Sequence, residues 1–287
     1  MRYAIVVNPK AGTLSLEEKM RRVKVAKNIL GDCHVVGEDT NSSEEFCGVI
    51  REYVGKVEVI APFGGDGTVF DLINSINEDQ RVGFFINGSG NALRYHFNLG
   101  KCVEEQAIRI RDGENKSIDL IDFNGKKALF ASIGLDGLVL KKRDEYLEEG
   151  KKGFSAYALS TIHGLFNLEP FNLEARIDGE SYSYRGIKDF IVTKTPFYGY
   201  GLNVVPRALD SDSNLHYLAI NQSYLEIANG LFNGFFGQGN HVGDYGVAKK
   251  IELVSDRDVG LQLNGDIQTF GREFSFGILP GKLKIKC

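Results

Sequence analysis

Three glycine-bearing turns in the first third of the chain have the residue types of a phosphate-binding site. They are Asn8–Gly12 (NPKAG), Gly64–Thr68 (GGDGT) and Gly88–Asn91 (GSGN), and each directly follows a predicted strand and precedes a predicted helix. Glycine lets a ligand approach the backbone amides closely, and amides at a helix start bind anions. A single turn of this kind is as often purely structural as it is ligand-binding. Three of them, together with a lysine and an aspartate, favour nucleotide phosphates as the ligand.

The side chains of these turns divide into phosphate partners and one exception. Lys10 could reach a terminal phosphate as a point charge, and Thr68, Ser89 and Asn91 could donate hydrogen bonds to phosphate oxygens. Asp66 is the exception, because a carboxylate repels a bare phosphate. Three roles stay open for Asp66: binding Mg²⁺, orienting Lys10, or accepting a proton from an attacking hydroxyl. The chain has neither a GxxxxGK[ST] P-loop nor a GxGxxG fingerprint, so the motifs indicate neither a P-loop enzyme nor a dehydrogenase.

The segments that must position these turns alternate between strand-like and helix-like patterns. We predict strands at Arg2–Val7, Cys33–Val36, Val57–Ala61 and Arg81–Ile86, and helices at Ser15–Leu30, Ser42–Val54, Thr68–Ile76 and Asn91–Phe97. Ser15 with Glu18, and Ser42 with Glu45, have the spacing of a capping box. The alternation predicts βαβ units and a parallel sheet, and the three turns should gather at its carboxyl edge.

A different pattern begins after about residue 115, where short alternating segments bounded by turn residues predict an antiparallel β domain. Asp178-Gly179 and Asn264-Gly265 are typical hairpin turns within it. One helix is predicted at Lys142–Asn167. Asp136 follows an apolar strand, so it could bind the amine or hydroxyl of an acceptor, or it could lie solvated in a loop. We expect two domains, residues 1–115 and residues 116–287.

Composition argues against several classes of protein. The 287 residues include 34 Lys and Arg against 38 Asp and Glu, a net charge of −4, which argues against a nucleic-acid binder. No apolar run approaches the roughly 18 residues of a spanning helix. Four widely spaced cysteines without a CxxC pair, and histidines without ligand spacing, argue against structural zinc and disulfides and favour a cytoplasmic protein.

Two apolar stretches, Phe154–Phe166 and Tyr224–Phe236, have alternative interpretations. Ordinary core is the interpretation that their composition favours. Exposed aromatic side chains that contact a lipid surface are the alternative.

The ordered set of motifs resembles the diacylglycerol kinase catalytic family, which includes bacterial lipid kinases and sphingosine kinases. The first two turns match its NPxxG and GGDGT motifs, and Gly88–Arg94 (GSGNALR) is similar to its GTxNDxAR motif. Further along, Gly134–Asp136 is similar to its GxDA stretch, Gly199–Leu209 to its glycine-rich segment, and Asn264–Asp266 to its DGE motif. NAD kinases share GGDGT, but the chain has no segment like their TAYxxSxGG.

The resemblance implies an α/β, Rossmann-like nucleotide-binding domain followed by an all-β sandwich domain for the lipid substrate. The implied reaction transfers the γ-phosphate of ATP, with Mg²⁺, to a lipid hydroxyl of the diacylglycerol or sphingoid-base type. The implied nucleotide contacts are Asn8, Pro9, Lys10, Ala11, Gly12, Thr40, Gly64, Gly65, Asp66, Gly67, Thr68, Gly88, Ser89, Gly90 and Asn91, with Phe70 next to them. Asp136 would contact the substrate. Leu209, Asp212 and Asn214 correspond to a structural Mg²⁺ site of bacterial members, which uses backbone oxygens beside one carboxylate.

Two departures from the family pattern affect the predicted chemistry. The third motif usually has Asp at the position of Ala92. Sphingosine kinases also have GSGNAL at this place, and this similarity favours a long-chain amino alcohol as the acceptor. Asn264 replaces the Asp of DGE and cannot serve as a base at neutral pH, and Asp266 replaces the Glu with one methylene fewer. Either Asp266 or Asp66 must then take the proton, or the activity is low. Asp66, Asp266 and Asn264 are the predicted catalytic residues, and for Asn264 a tight hairpin turn is the alternative to a catalytic role.

The resemblance leads to one expected function and two alternatives. We expect a cytoplasmic lipid kinase that associates peripherally with a membrane when active, and a homodimer is compatible with it. The alternatives are an NAD kinase-like enzyme and a regulator that binds nucleotide or lipid without turnover.

Overall fold

The structure is a computed structural model that describes residues 1–151 and 153–287. The chain divides into two compact units, residues 1–118 with 281–287, and residues 119–280. The domain boundary expected at residues 115 and 116 stays a prediction. The units are not two contiguous segments, because Lys284 and Ile285 pair in parallel register with Arg81 and Val82 in the first unit.

The first unit is an α/β domain built on a parallel sheet. Strand β1 pairs with β2 and β3, and β3 pairs with β4 and β5. The strands are β1 (Tyr3–Val7), β2 (Cys33–Val36), β3 (Val59–Gly64), β4 (Arg81–Val82) and β5 (Phe85–Ile86), and the helices are α1 (Leu16–Leu30), α2 (Ser43–Tyr53), α3 (Asp66–Ile73), α4 (Ala92–His96) and α5 (Val103–Asp112). This architecture confirms the α/β class.

Local sequence explains how these elements form. Every residue of β1 is buried, as expected for a strand in a parallel sheet that is covered on both faces. The Ser15 and Ser42 hydroxyls accept hydrogen bonds from the amides of Glu18 (3.2 Å) and Glu45 (3.1 Å), which caps α1 and α2. The reciprocal half of each predicted capping box is missing, because the Glu18 carboxylate pairs with a neighbouring arginine and the Glu45 carboxylate accepts from the Asn41 amide.

Several elements of this unit differ from the prediction, among them β3, which covers Val59–Gly64 rather than Val57–Ala61. Helix α3 begins at Asp66 rather than Thr68, and helix α5 was not predicted. The predicted strand Arg81–Ile86 is two short strands separated at Gly83. A Cβ on Gly83 would lie 2.7 Å from the side chain of Ile110, so the missing side chain allows α5 to pack against the sheet.

The second unit is a mainly antiparallel β domain. The strands are β6 (Asn115–Phe123), β7 (Lys126–Ala128), β8 (Phe130–Gly134), β9 (Phe171–Ile177), β10 (Glu180–Ile187), β11 (Asp189–Thr193), β12 (Leu215–Ile220), β13 (Asp244–Ala248), β14 (Lys250–Leu263) and β15 (Asp266–Lys286), of which β6 starts and β15 ends in the first unit. Their order is β13-β12-β11-β8-β14-β15, and β9 pairs with β14 and β10. The helices are α6 (Leu135–Glu148), α7 (Gly153–Asn167) and α8 (Tyr224–Phe236).

The predicted hairpin turns are confirmed, and the single predicted helix is wrong in extent. Asp178-Gly179 and Asn264-Gly265 join β9 to β10 and β14 to β15, with all four residues at positive φ. The helix predicted at Lys142–Asn167 is two helices, α6 and α7. Gly150 ends the first of them in a left-handed conformation at φ +86°. Lys152, which the prediction included, lies outside the described residues.

Candidate functional site

The three glycine-bearing turns of the first unit lie against one another, as predicted from the topology. A Cβ on Gly88 would lie 2.5 Å from the Cα of Gly65, and a Cβ on Gly12 would lie 2.7 Å from the carbonyl oxygen of Asn87. Both distances are shorter than van der Waals contact. The backbones of separate turns approach this closely only because these positions have no side chain.

Two polar contacts hold the turns in this arrangement. The Asn8 side-chain amide donates to the Thr68 hydroxyl (3.1 Å), which joins the first turn to the second. The Asp66 carboxylate accepts hydrogen bonds from the amides of Ala92 (3.0 Å) and Leu93 (3.3 Å), which joins the second turn to α4. Asp66 therefore caps a helix across the site, a role that was not among the three predicted for it.

The predicted lysine and a second, unpredicted lysine occupy different places. The Lys10 ammonium is exposed and donates to the carbonyl of Asn41, not to Asp66. Lys19 is only 1% exposed, and its Nζ donates to the carbonyls of Asn8 (3.1 Å) and Pro9 (2.6 Å). Burial lowers the pKa of Lys19. Lys19 therefore fixes the first turn from behind, and Lys10 is the lysine on the open side.

Two buried polar atoms at these turns have no hydrogen-bond partner among the described residues. They are the Nδ2 atom of Asn87 and the Oδ1 atom of Asn91. Asn91 adopts a left-handed conformation at φ +53° and precedes α4. The Arg22 guanidinium lies beside Asn87, with 3.4 Å between Nη1 and Oδ1. Since buried polar groups are nearly always paired, these atoms mark a place for a polar ligand.

The remaining predicted nucleotide residues lie at the same sheet edge with different exposure. Thr68 is 3% exposed and lies behind its turn, whereas Ser89 is exposed. Thr40 is partly buried, and its hydroxyl donates to the carbonyl of Gly37 (2.7 Å), in the loop that Lys10 reaches. The other predicted residues of the three turns are Pro9, Ala11, Gly12, Gly64, Gly67 and Gly90.

Sequence reasoning missed three residues at these turns: Lys19, Arg22 and Asn87. Asn87 could have been found, because it directly follows the strand that precedes the third turn. Lys19 and Arg22 carry no such signal, because they lie within the ordinary helical pattern of α1.

The second unit contains a largely apolar pocket with an empty volume of about 570 Å³, part of it open to solvent. Helices α7 and α8 contribute Tyr157, Thr161, Ile227 and Leu231 to its lining. Asp136 lies in this lining, as one of its predicted roles requires, and not in a solvated loop.

Two carboxyl groups lie together in the pocket lining. The Ser132 hydroxyl donates to Asp136 (2.7 Å), and Oδ1 of Asp189 is buried without a partner among the described residues. Burial raises the pKa of Asp136, and the hydrogen bond from Ser132 opposes the rise only in part. Burial, and then the nearby charge of Asp136, raise the pKa of Asp189. Sequence reasoning missed Asp189, which reads as an ordinary strand residue.

The hairpin after β14 contains two of the predicted catalytic residues. Asn264 is 6% exposed, and its Oδ1 accepts hydrogen bonds from the amides of Leu129 (2.9 Å) and Phe130 (3.1 Å). This geometry agrees with the turn interpretation of Asn264, because its side-chain oxygen is occupied by the backbone. Asp266 is exposed at the start of β15, yet the protein atoms packed around it raise the pKa of its carboxyl.

Of the three predicted Mg²⁺ ligands, Asp212 and Asn214 contact a lysine and Leu209 contacts a histidine. The Lys194 Nζ is 2.8 Å from Oδ1 of Asp212 and 2.5 Å from the carbonyl oxygen of Asn214, and the amide of Leu209 donates to His216 (3.1 Å). Within residues 1–151 and 153–287, no group of three or more His, Cys, Asp or Glu side chains is placed to hold a metal ion.

Helices α7 and α8 expose large apolar side chains, contrary to the core interpretation that was favoured for them. Phe166 is 87% exposed, Leu225 84%, Phe236 76% and Phe232 62%. The two helices touch through Phe154 and Phe235, whose ring centroids are 5.7 Å apart. No helix in the described part of the chain is both long and apolar enough to span a membrane.

Each half of the chain matches a domain family of known proteins. Residues 2–123 match the diacylglycerol kinase catalytic domain, and residues 130–287 match the YegS C-terminal NAD kinase beta sandwich-like domain. A Staphylococcus aureus strain Mu3 protein named "Putative lipid kinase" is 27% identical over 249 residues, which are 81% of this chain and 79% of that protein.

Solved structures share the fold. A diacylglycerol kinase structure from Bacillus anthracis strain Sterne has a TM-score of 0.79 at 20% identity, over 99% of this chain and 96% of that chain. An NAD kinase from Archaeoglobus fulgidus in complex with ATP is more distant, with a TM-score of 0.52 at 14% identity over 100% and 94% of the two chains. The α/β unit and the β-sandwich unit match the two domains of one family, and this chain belongs to the diacylglycerol kinase catalytic family.

Proposed function

We propose that the protein is an ATP-dependent lipid kinase that transfers the γ-phosphate to a hydroxyl of a long-chain lipid. The observation that carries this proposal is the contact of the three turns through Gly12, Gly65 and Gly88. Any side chain at these three positions would fill the cradle between the turns. Because the positions have none, the backbone amides are the groups that contact a ligand. Amides in this arrangement suit the oxygens of a polyphosphate.

The charged and polar groups around the cradle fit a nucleotide. Lys10 and Arg22 supply positive charge on its accessible side, and Asn87 and Asn91 supply a donor and an acceptor that have no partner in the described part of the chain. The N-cap residue of helix α3 is Gly65, which provides no side-chain cap, so the first amides of the helix remain for an anion.

We assign Mg²⁺ to the nucleotide complex. When bound, this ion neutralises charge on the phosphate oxygens. Asp66 is the carboxylate that the turns provide for it, because Mg²⁺ prefers oxygen ligands and is usually bound through one or two carboxylates. The same carboxylate positions the third turn for the phosphates.

The pocket of the second unit suits the acceptor. Apolar walls accept an acyl or alkyl chain, and Asp136 and Asp189 give the pocket a polar end. Two buried carboxyl groups favour a cationic headgroup, because an ammonium stabilises their ionised forms. Among the two acceptor types considered, this favours a sphingoid base over a diacylglycerol.

We propose Asp266 as the acceptor of the hydroxyl proton. A raised pKa makes a carboxylate a better base near neutral pH. Asp66 is the less suitable candidate, because its carboxylate is used to cap α4. Asn264 shapes the turn that presents Asp266.

We propose that α7 and α8 contact the membrane that holds the lipid. Each helix lines the pocket with one face and exposes phenylalanines from another. Partial insertion of such side chains gives membrane affinity without a basic surface, which fits a net charge of −4. Cytoplasmic location and a homodimer stay predictions.

A direct assay tests the proposed function. The purified protein is incubated with [γ-³²P]ATP and Mg²⁺ in mixed micelles that contain sphingosine, a diacylglycerol or a crude lipid extract, and lipid products are separated by chromatography. We expect a labelled lipid, with sphingosine as the better acceptor. Formation of NADP from NAD instead would support the NAD kinase alternative. ATP binding by calorimetry without any labelled product would support the regulator.

A further inference from the structure

A fully buried lysine lies at the centre of a charged cluster in the second unit. Lys194 is 0% exposed and directly follows β11. Its Nζ lies 2.8 Å from Oδ1 of Asp212, 3.1 Å from Oδ2 of Asp119 and 2.5 Å from the carbonyl oxygen of Asn214. Lysine has three ammonium protons, so these oxygens can use all of its donors.

The oxygens around Lys194 are held in place independently of it. The amide of Ser213 donates to Oδ2 of Asp119 (2.7 Å), and the amide of Asn214 donates to Oδ1 of Asp212 (3.1 Å). The cluster is therefore a prepared site for a cation.

His216 completes the surroundings of Asp212 without adding positive charge. Its Nε2 is 3.1 Å from Oδ2 of Asp212, and its Nδ1 is 2.8 Å from the Tyr245 hydroxyl. The amide of Leu209 donates to the same Nε2 (3.1 Å), so this nitrogen carries no proton and the ring is neutral. Lys194 is thus the cation that balances Asp119 and Asp212.

The residues at this site do not fit a bound Mg²⁺. Magnesium requires oxygen ligands at about 2.0–2.1 Å in near-octahedral arrangement. The carboxylate of Asp212 and the carbonyl of Asn214, two of the three groups that family resemblance assigns to the metal, instead lie at the distances of ammonium hydrogen bonds from Lys194. An additional divalent cation would be repelled by the ammonium.

We propose that the ammonium of Lys194 is a built-in cation that replaces the structural metal ion at this site. The lysine makes this part of the second unit independent of divalent cations. Removing its side chain leaves two carboxylates, a carbonyl oxygen and the volume of a lysine, which together match the preference of a divalent cation for oxygen ligands. The site then becomes a metal site.

Manganese binding and thermal unfolding test this inference without any measurement of activity. Mn²⁺ binding is followed by electron paramagnetic resonance, and the midpoint Tm is measured with EDTA, Mg²⁺ or Mn²⁺, always without nucleotide. We expect the wild-type Tm to be the same in all three solutions. Lys194→Ala should lower the Tm in EDTA by roughly 10 °C, because it removes the cation that faces the carboxylates of Asp119 and Asp212, and Mg²⁺ or Mn²⁺ should restore part of the loss.

Two further variants make the result specific. Lys188→Ala removes another buried lysine of the same unit, which donates to the carbonyl of Asn221, and its Tm should not respond to metal. Adding Asp212→Asn to Lys194→Ala should abolish the gained Mn²⁺ site.

Two outcomes would overturn the inference. One is that wild-type protein binds Mn²⁺ and that Asp212→Asn abolishes this binding. This measurement needs no lysine variant, so it decides the matter even if Lys194→Ala does not fold. The other is folded Lys194→Ala protein that neither binds Mn²⁺ nor gains stability from it.

Discussion

The contact between the second and third turns predicts a large effect from one methyl group. In Gly88→Ala the new Cβ would lie 2.5 Å from the Cα of Gly65, whereas carbon atoms pack at about 3.5–4.0 Å. The two turns must therefore separate by about 1 Å. Overpacking of this kind costs about 1–3 kcal/mol, and a displacement of about 1 Å in a binding group can cost on the order of 100-fold.

We expect Gly88→Ala to weaken ATP binding by about 10- to 100-fold and to lower the Tm of the protein. Isothermal titration calorimetry with ATP and Mg²⁺ measures the first effect, and calorimetric unfolding measures the second. The two amide-bearing turns would no longer face one polyphosphate, so kcat/KM for ATP should fall at least as much as the affinity.

Gly48→Ala is the matched control. It adds the same methyl group in α2, where nothing lies within 4 Å of the new Cβ and the backbone is not left-handed. Since glycine destabilises a helix interior, the control should stabilise the protein by about 0.5–1 kcal/mol and leave ATP affinity unchanged. Wild-type ATP affinity and Tm in Gly88→Ala would refute the proposed cradle.

Three other predictions concern the carboxylates and the exposed helices. Asp66→Asn should lower both Tm and kcat/KM, the latter by about 10- to 100-fold, because hydrogen bonds to a charged group contribute about 1.5–3 kcal/mol; an unchanged Tm would contradict its capping role. For Asp189, burial raises the folded-state pKa above the unfolded value, so its stabilising contribution is complete below the ordinary aspartate pKa of about 3.9 and is lost as pH rises through the raised pKa. Urea unfolding of Asp189→Asn across this range should therefore show a weaker decline with pH than wild type, and an identical slope would contradict the assignment. Phe232→Ser with Phe236→Ser should reduce sedimentation with lipid vesicles while Val254→Ser, at another exposed apolar site, does not; equal binding by all variants would exclude α8 as the contact.

Much of the candidate site could be predicted from the sequence because its chemistry is local. The turns Asn8–Gly12, Gly64–Thr68 and Gly88–Asn91 combine adjacent glycine and polar residues with strand and helix patterns on either side, and parallel-sheet topology then requires them to meet. Hairpins such as Asn264-Gly265 are likewise specified by neighbouring residues, since few other residue pairs tolerate two positive φ angles.

The roles of individual side chains were decided only by tertiary structure. Asp66 caps a helix that starts 26 residues later, and Asn264 accepts from an amide 135 residues earlier. Lys194 and Asp189 were not singled out at all, because a lysine or aspartate in a strand pattern gives no sign of burial. Hydrogen-bond partners and desolvation depend on which distant segments pack together. The sequence by itself therefore determined the turns, the fold class and the family, whereas the folded chain decided which polar groups are committed to structure and which remain for ligands.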